Sequence, residues 1–568
     1  MRHTSLSLAL AGALFALTAG SASAALTDGV YSVEAKGNNG PIDFAVTLKD
    51  GRIAAIDVKS TNETPGLGID AVAALSKDII ATQSLAVDGV SGATISSEAL
   101  KTAVREALKQ AGGSEADLKS VKQTPKQAAL PINNETEILV VGAGGAGMTA
   151  AIAAVEAGAK VLLIEKMPFV GGTTLLSSTA VNAGGSSVQM KAEKPYTKDD
   201  YIKKLSAGLQ QGDRDAMLQL AELSGPTVDW MIGMGADLSR VINGSQHTPE
   251  DGGALGASLV PVLKKRIDAL NIETRTGTTA VDLIVGENGR VSSVHVKCAA
   301  GEYDIKAKAV ILATGGFASN PEYVKRFTPQ WAGYPSTASV GVTGDAIRMT
   351  EKLGAKLSDM AHAGPQTVAY DTGHGAVSLT NVRYNGAILV NQKGERFFNE
   401  LGNTAKLGAA IKAQPGGYAY LIFDQASVDH AKLMSVYKDR GYFVEAPSIS
   451  ELAAKFGIKP EALGSTVMAW RQVYDTKEDK LFGRKDSIFS RLDKAPIYGQ
   501  KISPANQTTY GGIVRDRWSR VVKEDGSVIP GLYVAGEAAS QFGQGVTIAT
   551  VLGRLAGQEA AAEVKTMR

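Results

Sequence analysis

The stretch ILVVGAGGAGMTAAIAAVEAGAKVLLIE, residues 138–165, decides the fold. Four apolar residues, Ile138 to Val141, run into Gly142, and a Gly-x-Gly-x-x-Gly pattern follows at Gly142, Gly144 and Gly147. Met148 to Ala157 then reads as a helix, and Val161 to Ile164 is a second apolar strand closed by Glu165. This is the strand, turn, helix, strand, acid order of a dinucleotide-binding unit, which a lone glycine pattern lacks. Gly142 permits the turn, Gly144 lets backbone N–H groups approach a pyrophosphate at the helix N-terminus, and Gly147 allows close helix–strand packing. Glu165, 23 positions after Gly142, is placed to accept hydrogen bonds from an adenosine ribose.

Working outward, Ala309-Val-Ile-Leu-Ala-Thr314-Gly315 and Gly531-Leu-Tyr-Val-Ala-Gly536-Glu537 are further apolar strands meeting glycine turns, as if the same unit resumes twice. Between them, roughly 320–496, periodicity is mixed and the strands read as short and interrupted, the pattern of an inserted cap. Upstream, Tyr31 to Ala35 and Ile42 to Leu48 alternate apolar with polar residues, and Asp50-Gly51 reads as a hairpin turn into Ile53. Leu100, Ala103, Val104, Ala107, Leu108 and Ala111 recur at helical spacing, with Ser96 or Ser97 expected as the N-cap. Residues 113–136, rich in Lys, Gln, Ser, Pro and Asn, read as a linker.

Composition narrows the function classes. With 59 basic against 57 acidic residues in 568, the net charge of +2 offers no field for nucleic acid or an anionic membrane, so small molecules are the expected ligands. The single cysteine, Cys298, excludes an internal disulfide, a cysteine metal site and an attached c-type haem, and no metal is expected. The start, Met1-Arg-His-Thr followed by apolar Leu6 to Leu17 and then Ala22-Ser-Ala24, has the order of a secretory signal and is too short to span a bilayer. Export to the periplasm, with no membrane span afterwards, is the expectation.

Two residue sets carry a family resemblance. Asp88-Gly-Val-Ser-Gly-Ala-Thr-Ile-Ser96 matches the pattern at which a flavin transferase esterifies FMN phosphate to a threonine, so the module resembles the FMN-binding domains of respiratory flavoproteins and nominates Thr94 for covalent FMN. From Glu137 onward the chain resembles the soluble fumarate reductase family, whose relatives include urocanate reductase and, more distantly, 3-ketosteroid dehydrogenases. The matching stretches include VVGAGGAGMTAAIAA, IEKMPFVGGTT, ILATGGFASN, VTGDAI, RYNGAILVNQKGERFFNE and GLYVAGEAAS. The resemblance implies an α/β fold: a Rossmann-like two-dinucleotide FAD domain over 137–322 and 498–568, an inserted α+β clamp (cap) over 323–497, a linker at 113–136, a small α+β FMN-binding domain at 25–112 and a signal at 1–24. It adds Gly172, Thr173, Thr314, Asp345 and Glu537 to Gly142, Gly144, Gly147 and Glu165 as contacts of non-covalent FAD.

Family members reduce an activated C=C bond, with hydride from the flavin and a proton from the clamp. Against the family's pattern, Thr404 stands where an arginine acid is expected, a few residues after Arg396-Phe-Phe-Asn399-Glu400, and Thr380 stands for the relay glutamate, while the relay arginine survives as Arg383. Gln507-Thr-Thr-Tyr510-Gly-Gly512 lacks the carboxylate-binding histidine, and Ser540 to Thr547 lacks the expected arginine. A buried carboxylate stripped of its charged partner loses about 3–5 kcal/mol, so fumarate is a poor fit. Tyr510, Lys406, His374 and Tyr370 are the candidates to replace the lost groups, although tyrosines also simply pack, lysines face solvent and a lone histidine in a glycine loop is ordinary polar surface. His247 has a possible pocket role as well.

The expected partners are a small unsaturated acceptor of the urocanate-like, enoate or enone class, a cytochrome or quinol-linked electron donor, and the flavin transferase. A dehydrogenase of saturated ketones and a non-enzymatic flavin carrier are the competing readings.

Overall fold

The computed structural model describes residues 26–63, 68–90, 92–118, 130–131, 133–206, 214–373, 375–540 and 545–567. The expected signal, half of the expected linker, His374 and residues 541–544 lie outside the described residues.

The N-terminal module is a three-stranded antiparallel sheet, β1 (Gly29–Gly37), β2 (Gly40–Lys49) and β3 (Arg52–Thr61), backed by two helices, α1 (Gly68–Thr82) and α2 (Thr94–Gln110). The hairpin forms where Asp50-Gly51 predicts it: both residues take positive φ, 53° and 75°, and Lys49 pairs with Arg52 across the turn. Phe44, Val46, Leu75, Ile79, Leu100 and Val104 fill the layer between sheet and helices. The expected serine cap does not form. The N-cap of α2 is Ala93, Ser97 Oγ donates back to Ala93 O (2.9 Å), and Ser96 Oγ donates to buried Glu63 (2.9 Å).

The central unit is built on an eight-stranded sheet whose parallel core sets β4 (Glu135–Val141) between the strand Gly301–Leu312 and β5 (Val161–Ile164). The strand Val528–Val534 returns from the far end of the chain to lie parallel to Gly301–Leu312. These strands are apolar on both faces because each face is covered. On one side lie α3 (Gly145–Glu156) and the helices Leu255–Ala269 and Gly545–Lys565. On the other lie an antiparallel hairpin and the helix Asp345–Glu351. Gly553 and Gly557 let Gly545–Lys565 pack tightly on α3, since a Cβ at either would come within 2.2 Å of an α3 carbonyl.

Between these segments sits a second sheet, in the order Ala376–Ser378, Ala363–Asp371, Ile497–Thr509, Ala419–Asp424, Ile388–Val390, with Val444–Ala446 also pairing to Ile497–Thr509. Within 320–496 the strands are short, at most nine residues, and the 13-residue central strand begins just beyond that range. Gly499, Pro504 and the polar Gln500, Asn506 and Gln507 hide it from a pattern reading. That strand also crosses the expected cap boundary at 497/498 and ends beside the central unit.

Candidate active site

A cavity opens at the C-terminal ends of β4, β5 and Gly301–Leu312, where open α/β sheets bind their ligands. Gly142 turns at φ 101°, and a Cβ there would lie 2.5 Å from Ala313 O. A Cβ at Gly147 would lie 1.7 Å from Gly142 O, so this glycine sets helix–strand contact and does not itself line the cavity. Gly144 differs: its nearest neighbours, Gly171 O and Gly172 Cα, are 4.0 Å from a built Cβ, leaving the space a pyrophosphate fills. As N-cap of α3 it has no side chain to occupy the helix's first N–H groups, of which Gly145 N donates to Thr174 Oγ1 (3.2 Å).

Glu165 lines the cavity, and both its carboxylate oxygens are engaged by backbone: Oε2 accepts from Ala143 N (2.7 Å) and Oε1 from Met167 N (2.8 Å). The acid therefore holds the glycine loop while lining the cavity. Burial pushes its carboxyl pKa up, opposed by those two N–H groups and by Lys166. Thr173, Thr314, Gly172 and Asp345 also line the cavity; Thr173 Oγ1 accepts from Ser339 N (3.1 Å) and Thr314 Oγ1 from Ala346 N (3.2 Å). Lys166, which pattern reading passes over, pairs with Asp345 at 2.6 Å and donates to Thr343 Oγ1 at 2.6 Å.

At the other end Glu537 lines the cavity and accepts from Thr509 N (2.8 Å) and Thr509 Oγ1 (3.2 Å). Burial raises its pKa, opposed by bonds from Thr509 and Thr508. A Cβ at Gly316 would meet Thr509 Oγ1 at 2.0 Å, so a bare backbone is required where these groups converge. Tyr510 follows, half-buried, with its pKa raised by burial and by the neighbouring Glu537 carboxylate. Both effects further favour the protonated phenol, the form a tyrosine already holds at neutral pH.

The clamp candidates are not drawn into one constellation. Arg383 is 2 % exposed, donates to Glu400 O (2.8 Å) and lies 4.8 Å over the Tyr384 ring. Glu400 is in turn held by Arg396 (2.8 Å to each oxygen) and Arg484 (3.3 Å), a buried ionic knot inside the clamp. Thr380 Oγ1 donates to Gln366 Oε1. Thr404 and Lys406 sit in the exposed first turn of the helix Thr404–Lys412, behind the N-cap Asn403. Tyr370 packs at a tilt of 59° against Tyr442 (ring centroids 5.9 Å), away from the cavity lining. His247 is fully buried, bonded to Leu238 O (2.9 Å) and Ser186 Oγ (3.1 Å), which is a packing role.

Asn506 was missed by sequence reading. It is 1 % exposed, it is two residues before Thr508, and neither its Nδ2 nor its Oδ1 has a partner; the same holds for Thr337 Oγ1 and Thr367 Oγ1. Thr337 N donates to Asn506 O (3.0 Å), and Pro365, beside Gln366, pairs with Asn506 across the sheet. Only a fold shows this, because nothing in the surrounding Ser-Pro-Ala-Asn-Gln tells a buried carboxamide from a loop residue.

In the N-terminal module Thr94 is the first residue of α2, half-buried, with no side chain capping the helix. Among the described residues its hydroxyl makes no hydrogen bond, while the neighbouring serines are turned inward. A phosphate ester on Thr94 fits this arrangement: the hydroxyl is available and the uncapped first turn favours an anion.

A Rossmann-type glycine cradle joined to a second, smaller module and a clamp defines a flavin-dependent oxidoreductase. The description "FAD binding domain" matches residues 137–548, and "FMN-binding domain" matches residues 37–109. The chain is 33 % identical to urocanate reductase of Eggerthella lenta over 561 residues, covering 93 % of this chain and 91 % of that protein. It is 35 % identical to fumarate reductase (cytochrome) of Shewanella frigidimarina over 457 residues, 77 % of this chain and 80 % of that one. The open conformation of a flavocytochrome c3 fumarate reductase superposes with a TM-score of 0.69 at 30 % identity, over 76 % of this chain and 79 % of that chain. The chain belongs to the FAD-binding-domain family that contains these reductases, and its cofactors are FAD and FMN. Among the described residues no helix is long and apolar enough to cross a membrane.

Proposed function

We propose that the protein is a periplasmic reductase of a small C=C acceptor whose activating group is met by neutral donors: a urocanate-like compound or another enoate or enone, in preference to fumarate. Electrons enter through FMN esterified to Thr94 by a flavin transferase, supplied by a cytochrome or quinol-linked donor, and pass to FAD. Likeness to a urocanate reductase over nearly the whole chain supports the reaction class.

The observation that carries the acceptor class is the trio of buried, unpartnered polar side chains Asn506, Thr337 and Thr367, which lie outside the lining of the nucleotide cavity. A buried carboxamide left without partners costs about 1–3 kcal/mol, so such a set is kept where a ligand completes it. No charged side chain belongs to it, and the two stretches where the family pattern places a carboxylate-binding histidine and arginine, Gln507–Gly512 and Ser540–Thr547, contain neither.

In this reading FAD, when bound, supplies hydride chemistry. The chain's own groups do the rest. The glycine loop and Glu165 fix the nucleotide; Glu537, with Thr508 and Thr509, orders the ring end; Asn506 steadies the charge that develops on the acceptor's activating group; and Tyr510 holds the proton. Of the clamp candidates, Thr404 and Lys406 stand in solvent, Tyr370 is off the cavity lining and His374 lies outside the described residues, so the clamp's contribution is the buried frame that holds Arg383. The test is turnover of flavinylated protein with reduced viologen over a panel of aryl-acrylates, enones and fumarate. Selective turnover of non-fumarate acceptors is expected, and fast turnover of fumarate alone would overturn the reading.

A further inference from the structure

The N-terminal module is not a free appendage: it touches the rest of the chain at two places. The first is at Gly92, two residues before Thr94 and held at φ 81°. A Cβ built there would lie 3.1 Å from Phe169 Cζ, 3.4 Å from Met167 Cε and 3.6 Å from Val340 Cγ2. Met167 is itself a wall of the nucleotide cavity, and its N–H holds Glu165. The second place is on the clamp. A Cβ at Gly40 would meet Asp439 O at 3.0 Å, one at Gly441 would meet Lys36 Nζ at 3.2 Å, and the Tyr442 hydroxyl is within reach of Asn38 and of the Glu63 carboxylate.

We propose that Met167, Phe169 and Val340 form a docking seat for the Thr94 segment, and that electrons cross between the two flavin sites at this seat, within one chain. The inference rests on the reading that Thr94 carries FMN. Two consecutive residues span about 3.8 Å between Cα atoms, so Thr94 lies within about 8 Å of the Gly92 backbone that rests on the seat. Apolar side chains suit the task. Val340 is 43 % exposed, and together with half-buried Phe169 it offers the bare glycine backbone a surface with no competing hydrogen bonds. The clamp contact supplies the second point of attachment that fixes the module's orientation. In the step, reduced FMN loses two electrons and FAD gains two, protons being exchanged with solvent; two viologen radicals, one electron each, stand in for the donor that recharges FMN.

The test uses the full, flavinylated, FAD-loaded chain and the variants Val340→Asp and Phe169→Asp, which leave both the Thr94 segment and the cavity lining intact. Mixed with reduced viologen and followed by absorbance, the variants should reduce FMN at the native rate. FMN-to-FAD transfer should slow about tenfold, the shift in docked population expected if a carboxylate against the seat costs about 1.4 kcal/mol. Hydrogen exchange of the amides flanking Gly92 should quicken in both variants. Native exchange together with native transfer would overturn the proposal. Should Phe169→Asp fail to retain FAD, Val340→Asp, at an exposed position, decides alone. If mass spectrometry finds no FMN on the Thr94 peptide, the underlying reading fails, and hydrogen exchange still judges the seat: unchanged exchange overturns it.

Discussion

The nucleotide cradle and the buried polar cluster at Asn506, Thr337 and Thr367 are made of opposite materials. The cradle is glycine backbone with its polar groups already spoken for: Glu165 by Ala143 and Met167, Asp345 by Lys166, Glu537 by Thr509. The second cluster holds a carboxamide and two hydroxyls without a side-chain hydrogen-bond partner. The difference teaches which half of the site is complete without its ligand. A preorganised cradle tolerates almost no added atom, whereas an incomplete wall tolerates substitution and pays in turnover.

The largest effect should come from adding one atom to the cradle. Gly147→Ala sets a Cβ 1.7 Å from Gly142 O and should lower stability by roughly 3 kcal/mol and abolish FAD retention, read by melting and by flavin content after desalting. Gly144→Ala, with 4.0 Å to its nearest atoms, should leave melting of the flavin-free protein within about 0.5 kcal/mol and weaken only FAD binding. Equal melting of the two would erase the distinction between packing glycine and ligand glycine.

Next, Tyr510→Phe should lower kcat about 100-fold, the usual loss of a general acid, with FAD content unchanged. Because burial and Glu537 raise its pKa, the native rate should show no alkaline loss from this group at or below the ordinary tyrosine value of 10.0. Asn506→Leu should cut kcat/KM for the acceptor about tenfold while melting no lower than native, since two unpartnered atoms are removed. An unchanged kcat/KM would mean that only a water occupies the carboxamide.

The smallest effect concerns His247, buried neutral far from either face. Burial lowers its pKa below 6.5, so the unfolded chain takes up a proton that the folded one refuses. Its contribution to stability is fully present above pH 6.5 and is lost as pH falls through its folded value, at up to about 1.4 kcal/mol per pH unit. His247→Gln should flatten that part of a pH–melting curve.

The cradle was legible in the sequence because its physics is local: Gly142, Gly144 and Gly147 answer steric demands within one turn, and Glu165 sits at a fixed chain distance. Thr94 was legible for the same reason, although the serine cap expected beside it gave way to Glu63, which arrives from 33 residues upstream. Lys166, Asn506 and the Met167–Phe169–Val340 seat were not legible, since each depends on residues brought together from remote parts of the chain. Thr404 and Lys406 show the converse: a position that aligns with a catalytic one stands in solvent on the exposed face of a helix.

The 13-residue strand Ile497–Thr509 pairs inside the clamp at one end and donates to Glu537 at the other. A paired strand hardly stretches, so the spacing between the clamp sheet and the Thr509–Glu537 bond at the cavity's edge is set by one continuous backbone.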